Sequence, residues 1–378
     1  MEIRLYNPSD GQLWDEYVML HPDATHCHLS GWKEIIEKAY GHKSYYLIAE
    51  RSCGTGHSSN STNSINTVNS TNPSNSSNPT NAIVGILPLV HIKSLIFGNL
   101  LVSMPFLNYG GVLADTPQAT GGLLEQATKI CSNLRASYIE LRHLNPMDGL
   151  GPINRYNSFQ KTDKVRMILK VPDSSEKLLK SFKAKLRSQI LRPQKEGLKS
   201  FIGGEGLLDD FYRVFTVNMR DLGSPVHSKK LFQKILVHLE QNSKIGIVKY
   251  NNLPVAAGLI LLFRDTVEIL WASSLREYNR LSPNMLLYWS FLDYTCSQGF
   301  RYFDFGRSTP GGGTYKFKEQ WGAESRRLYW NVYSRFNDYN QNSGDHSEWV
   351  SRAIIIWQYL PVFLTNFIGP RIRASIPL

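Results

Sequence analysis

Cysteine is scarce in this chain. Four occur among 378 residues, at positions 27, 53, 131 and 296, and none forms a C-x-x-C pair. That spacing fits neither a disulfide framework nor a zinc site, and it predicts a reducing, cytoplasmic setting. No run of about 18 apolar residues occurs, so no spanning helix is expected. The opening MEIRLYNPSDG carries polar and acidic residues and no apolar core, unlike a signal peptide. Two catalytic signatures are also missing, the G-x-x-x-x-G-K-[ST] phosphate loop and the G-x-S-x-G nucleophile turn. Acidic residues are outnumbered, 31 against 42 lysines and arginines, for a formal charge of +11. The surplus points toward an anionic partner such as nucleic acid, a phosphorylated substrate or a membrane surface. Hydrophobic residues make up 42% and charged residues 19%, which excludes global disorder and a collagen-like chain.

One stretch breaks the globular composition. Residues 52–82 are almost all Ser, Thr and Asn and cannot bury enough apolar area to offset ordering entropy, so a mobile loop is expected there. Its flanks, SYYLIAE (44–50) and IVGILPLV (83–90), read as paired strands with the insert at the hairpin tip.

The rest alternates between helical and strand periodicity, an α/β (α+β) pattern. The first half gives a strand at 2–6, helices near 10–20 and 30–40, the hairpin, an apolar glycine-rich stretch at 95–114, a helix at 117–134, and strands at 137–142 and 164–171. In the second half a helix is expected from a cap at Asp173 to Arg192, stopped by Pro193, with Leu178, Phe182, Leu186 and Ile190 on one face. Ile202–Gly206 reads as a turn. Helices at 207–222, with Leu222 inward, and 228–241 follow. Strands at 245–250, 255–263 and 266–273 come next, turned by Asn251-Asn252 and Arg264-Asp265. A helix from Pro283 to Gly299 and strands at 301–305 and 327–335 complete the unit.

The halves repeat one order: helix, helix, hairpin, helix, strand. Each late strand carries aromatic–apolar–acid–apolar, Tyr138-Ile139-Glu140-Leu141 and Tyr302-Phe303-Asp304-Phe305, followed by Arg142 and Arg307. A duplicated unit is the expectation, with domains at 1–172 and 173–336 and a linker and amphipathic tail at 337–378. In that tail Trp349, Trp357, Tyr359, Phe363 and Phe367, with Arg352, Arg371 and Arg373, suit either packing on the second domain or peripheral membrane contact.

Chemistry concentrates in FDFGRSTPGGGTYKFKEQWGAE, 303–324. A strand leads into Gly306, Arg307 and the glycine triplet 311–313, and then Tyr315, Lys316, Phe317, Lys318 and Trp321. Ligands of open α/β sheets sit beyond the carboxyl ends of strands, where glycines admit close approach and lysines add positive charge. Asp304 could orient a base or the donor amine, or pair with Arg301 or Arg307. Cys296 has no evident histidine partner, and His26 and His28 around Cys27 lack further clustered ligands, so no metal is expected.

This segment resembles the C-terminal signature of FemAB/FemX-like aminoacyltransferases, particularly the branch associated with exopolysaccharide and protein sorting. FKAKLRSQILRPQKEGL (182–198), NMRDLGSPVHSKKLF (218–232), SMPFLNYGGVLAD (103–115) and SGWKEII (30–36) extend the resemblance over most of residues 1–335. It implies two tandem GNAT-like domains, with mixed and mostly antiparallel sheets, and acyl transfer to an amine. Phe317 and Lys318 match the Phe-Lys pair near the reacting centre, where Lys318 would stabilise developing oxyanion charge or hold a phosphate or ester carbonyl. Arg187 and Lys33 match phosphate-binding positions, and Tyr109 lies in the segment matching the acceptor loop. The implied partners are an anionic acyl donor, aminoacyl-tRNA or acyl-CoA, and a UDP- or lipid-linked envelope precursor, with no resident cofactor. An acyl-CoA-dependent acetyltransferase of an amino sugar and a non-catalytic anion-binding module stay open as alternatives. No Q/R-x-x-G-x-G/A loop follows the strand at 266–273, which weighs against CoA.

Overall fold

In the computed structural model of the protein, the described residues are 1–51, 82–94, 98–147, 151, 153, 155–335 and 348–377. The Ser/Thr/Asn insert at 52–81 and the connector at 336–347 lie outside them, as does the side chain of Trp349. The first half contains β1 (Glu2–Leu5), α1 (Gly11–Leu20), α2 (Gly31–Tyr40), β2 (Lys43–Arg51), β3 (Ala82–Ser94), β4 (Gly98–Val102), β5 (Leu113–Ala114), α3 (Pro117–Asn133), β6 (Tyr138–His143), β7 (Asn157–Lys161) and β8 (Val165–Lys170). The second contains α4 (Ser175–Ser181), α5 (Ala184–Lys195), β9 (Lys199–Gly203), α6 (Leu208–Asp221), α7 (Lys229–His238), β10 (Ser243–Tyr250), β11 (Leu253–Phe263), β12 (Thr266–Ser274), α8 (Pro283–Ser297), β13 (Tyr302–Ser308), α9 (Gly313–Glu319), β14 (Glu324–Arg327) and β15 (Tyr329–Ser334). Helices α10 (Glu348–Tyr359) and α11 (Val362–Ser375) end the chain.

Two sheets form, ordered β1-β2-β3-β4-β6-β15-β7, with β5 against β3, and β9-β10-β11-β12-β13-β8-β14. Position for position they match, so the repeat is a structural one. Each sheet has one parallel ladder among its described pairs. Leu100, Leu101 and Val102 face Tyr138, Ile139 and Glu140; Thr266, Val267 and Glu268 face Tyr302, Phe303 and Asp304. Both ladders end at the acid that the sequence repeat aligned.

The sheets do not divide where a boundary at 172/173 would cut. Strand β8, expected to finish the first unit, lies between β13 and β14 in the second sheet. Strand β15, expected to close the second unit, lies between β6 and β7 in the first. Each unit lends a strand to the other. An antiparallel slot accepts any strand of matching alternation, so local pattern does not specify which sheet a strand joins.

Between the sheets lies a helical layer. Trp14, Trp32 and Ile35 from α1 and α2 share one buried cluster with Phe211, Phe215 and Phe232 from α6 and α7. The outer face of the first sheet buries Leu123, Leu124 and Ala127 of α3. The outer face of the second buries Leu178, Leu186, Ile190 and the α8 face of Leu286, Phe291 and Leu292. Fully burying side chains of this size contributes roughly 1.5–3 kcal/mol each, so the shared central layer ties the units together strongly.

Five local expectations are corrected. The helix expected from Asp173 to Arg192 is broken at Phe182, whose backbone is extended (φ −75°, ψ 150°). Phe182 instead packs edge-on against Trp289 and Trp321, and Ser174, not Asp173, caps the first piece. Pro193 sits inside the last turn of α5 and does not stop it. Residues 199–203, read partly as a turn, pair with β10 as an edge strand, and Leu222 is exposed. The Asn251-Asn252 turn has both residues at positive φ, as a two-residue hairpin requires.

Candidate active site

Past Glu268 and Asp304 the parallel ladder is not continued, and β12 and β13 part. Asp304 is fully buried at that fork. Its Oδ2 accepts from Arg166 Nε at 2.6 Å and from the Tyr109 hydroxyl at 2.9 Å, and its Oδ1 accepts from the Gly306 N–H at 2.8 Å. Burial pushes the Asp304 carboxyl upward while Arg166 opposes the rise. A buried carboxylate with three donors is satisfied in its ionised form, so Asp304 holds its neighbours in place. The expected pairing with Arg301 or Arg307 is replaced by Arg166, which arrives on the exchanged strand β8.

The first unit supplies the facing wall. The loop at 103–112 enters the fork, where Asn108 Nδ2 donates to Glu268 Oε1 at 3.0 Å and Tyr109 reaches Asp304. His26 Nε2 meets Glu268 Oε2 at 2.8 Å. Burial opposes charge on His26, but Cys27 and Glu268 outweigh it and raise its pKa to about 10. Glu268 is correspondingly held below the usual carboxylate range despite its burial, chiefly by His26. The glycines of the loop are there for close approach. A Cβ on Gly111 would sit 2.1 Å from the His143 ring, and Gly110 has φ +135°.

Gly306 forms a bulge, with φ +72°. Opposite β8, three steps from Asp304 to Arg307 face two from Ile168 to Arg166. The extra residue accounts for the different spacing of the two repeat arginines, since Arg142 follows its acid by two residues and Arg307 by three. Both guanidiniums lie over the Trp330 ring, at 4.3 Å and 4.7 Å from its centre. Burial, followed by Arg142, lowers the Arg307 pKa to about 10. In the first unit the equivalent fork is closed: Arg142 donates to Leu107 O at 2.6 Å, to Pro377 O at 2.9 Å and to Glu140. The fork of the second unit is instead entered by Asn108 and Tyr109 from the first.

Lys318 lies on α9, immediately behind the bulge. It is buried, and its Nζ donates to Arg307 O at 2.9 Å and Gly306 O at 3.3 Å. Burial lowers its pKa to about 8, with Asp304 and Glu268 opposing the shift. Two of its three N–H donors are engaged by the main chain. Phe317 is half-buried and packs edge-on against Tyr288 at 4.9 Å. A cleft of about 390 Å³ between the units is lined by His26, Glu268, Arg166, Arg264 and the exposed Arg326 and Arg327.

The structure thus joins Asp304 to Tyr109, sets Lys318 against the strand end at Arg307, and sends other candidates elsewhere. Lys316 and the fully buried Trp321 line a separate groove of about 1010 Å³ with Lys183 and Lys185 of the α4–α5 region, and Tyr315 packs half-buried on the second core. Arg187 donates to the carbonyl of Phe182 at the end of α4. Lys33 pairs with Glu37 at 2.6 Å. Much of the basic run on α4–α5 is a solvated face, with Lys177–Asp173 and Lys180–Glu176 pairs one helical turn apart. Among the described residues no His/Cys/Asp/Glu group could hold a metal ion. The reading of the sequence missed Arg166, Glu268, His26 and Asn108. Arg166 and Glu268 left a signal, since each is a charge inside an apolar strand, VRMILK and TVEILWASS.

A family profile described as "Acetyltransferase (GNAT) domain" matches residues 180–319. None of the curated protein sequences matches the chain. Among solved structures, FemX superposes with a TM-score of 0.61 at 15% identity, covering 87% of this chain and 97% of FemX. A conserved protein of unknown function from Bacteroides thetaiotaomicron gives 0.53 at 10%, covering 88% and 99%. A tandem GNAT protein from the clavulanic acid biosynthesis pathway gives 0.51 at 8%, covering 89% and 99%. At these identities the likeness is one of fold, and the profile match adds the domain. The chain thus has the two-unit fold of FemX and of a tandem GNAT protein, and its residues 180–319 carry an acetyltransferase (GNAT) domain.

Proposed function

We propose that the protein transfers an aminoacyl or acyl group to the amine of a cell-envelope or surface-polysaccharide precursor, using the fork between β12 and β13. The observation that carries this reading is the buried Lys318 ammonium behind the bulge at Gly306, at the end of a parallel ladder walled by the other unit. The acceptor nitrogen attacks the donor carbonyl and the C–N bond forms. The bond to the leaving thiol or ribose hydroxyl breaks, and the proton lost by nitrogen ends on that group. Lys318 has one N–H beyond its two main-chain bonds for the developing oxyanion, and it acts without forming a covalent intermediate. Arg166, Tyr109 and Asp304 hold the fork rigid around it.

The donor divides two versions of the reading. Residues 276–281, just after β12, form a 3₁₀ turn without glycine, which favours aminoacyl-tRNA over an acyl-CoA pyrophosphate. The +11 charge suits either anion. Purified protein is incubated with charged tRNA or acetyl-CoA and a pool of amine acceptors, and acylated product is followed by mass spectrometry. Lys318→Met is expected to lower the rate by about 10²–10³-fold. Because burial lowers the Lys318 pKa to about 8, the wild-type rate should fall as pH rises through that value and the ammonium is lost. Full activity in Lys318→Met sinks the site. Salt-sensitive nucleic-acid binding with no transfer from either donor points to a binding module instead.

A further inference from the structure

The C-terminal helices have two faces. The inner face is fixed. Trp357 is buried, Ile354 fills the space a Cβ on Gly223 would need, and Gly369 packs on Val226. Gln358 Nε2 donates to Asp221 O at 3.0 Å, and Arg373 Nε donates to His227 Nε2 at 3.0 Å. Beyond Ser375, Pro377 O accepts from Phe106 N and from Arg142, so the chain end is tied to the first unit.

With the inner face anchored, the outer face is set. It presents Ile355, Ile356, Tyr359, Phe363 and Phe367, with Tyr359 85% exposed, Phe363 70% and Phe367 67%. Leu222, at the end of α6 beneath, is exposed as well. Folding normally leaves such residues exposed singly, and so many on one helical hairpin mark an interaction surface.

We propose that this face docks on a membrane surface bearing anionic headgroups. Charge names the partner. Residues 349–378 contain three arginines and no Asp or Glu. Arg352 and Arg371 are exposed beside the patch, and the Arg371 guanidinium lies over the Phe367 ring at 4.9 Å. Aromatic and aliphatic side chains fringed by arginine suit the boundary between acyl chains and anionic headgroups. A second copy fits less well, because a two-fold contact would press two copies of the same positively charged patch together. The helices of 12 and 14 residues lie on a bilayer without crossing it, and no described helix is long and apolar enough to span one. None of the residues of this face is assigned a part in acyl transfer, so the proposal stands or falls independently of it.

The test is vesicle flotation of the full chain with phosphatidylcholine alone and with phosphatidylcholine containing phosphatidylglycerol. The protein is expected to float with the anionic vesicles and to remain below with the neutral ones at moderate salt. Phe363→Glu with Phe367→Glu should weaken partitioning by at least ~10-fold, and Arg371→Ala by roughly fivefold, with an unchanged melting curve because all three side chains are exposed. Failure to float with anionic vesicles overturns the proposal, as does equal flotation of the double-glutamate variant. A dimer in sedimentation that the same double substitution dissolves, in a protein that ignores vesicles, assigns the face to self-association instead.

Discussion

Replacing Arg166 with methionine removes the cation that pairs with Asp304. In the native fold the pair meets at 2.6 Å, with Asp304 fully buried and the Arg166 side chain 16% exposed. Breaking a buried pair from one side costs about 3–5 kcal/mol, because the remaining charge loses its compensation. Here Tyr109 and the Gly306 N–H remain as donors, so the lower end, about 3 kcal/mol, is expected near neutral pH. The sign of the pH dependence follows from the carboxyl. Without Arg166, burial raises Asp304 further above its ordinary 3.8. The folded variant then holds a proton that the unfolded chain releases, and its stability declines as pH rises above about 4. The deficit relative to wild type should therefore be larger at pH 8 than at pH 5. The assay is urea unfolding followed by tryptophan fluorescence at both pH values, since Trp321 and Trp330 are buried nearby. Arg166→Met with Asp304→Asn should recover most of the loss, leaving about 1 kcal/mol, so that the coupling exceeds about 2 kcal/mol by whatever Asp304→Asn costs alone. A single-variant cost below about 1 kcal/mol at both pH values would refute the claim that the exchanged strand clasps the fork through this pair.

His26→Gln should strand Glu268 and cost about 3 kcal/mol at pH 6. With the folded pKa of His26 raised to about 10, the stabilisation is complete below the unfolded value of 6.5 and is lost as pH rises through about 10. The gap between variant and wild type should narrow across that window in thermal melts; a constant gap would count against a charged His26. Separate expression of 1–172 and 173–378 should give aggregated material, because each piece lacks the strand the other lends and bares a sheet edge. Co-expression should restore a soluble complex, whereas a cooperative melt from 1–172 alone would show that the exchange is dispensable.

What the sequence determined by itself is local or repetitive. The strand and helix periods, the hairpin around the insert and the Asn251-Asn252 turn all depend on neighbours within a few residues, and the structure keeps them. The repeat was legible for the same reason, since both copies place tyrosine, an apolar residue and an acid along the parallel ladder. The segment around Gly306 and Lys318 declared itself through residue types that a strand end needs. Tertiary structure decided the partners. Arg166 and Tyr109 stand 138 and 195 residues from the Asp304 they bond, and no period in the chain links them. The break at Phe182 came from a ring finding Trp289 and Trp321, a contact that outweighed helical propensity. Arg187 and Lys33, which the resemblance matches to phosphate-binding positions, bond here to the carbonyl of Phe182 and to Glu37, partners that the resemblance does not name. Alternation tells a strand which face to bury; which sheet it joins depends on where the rest of the chain leaves an open edge, and that is known only once the whole has folded.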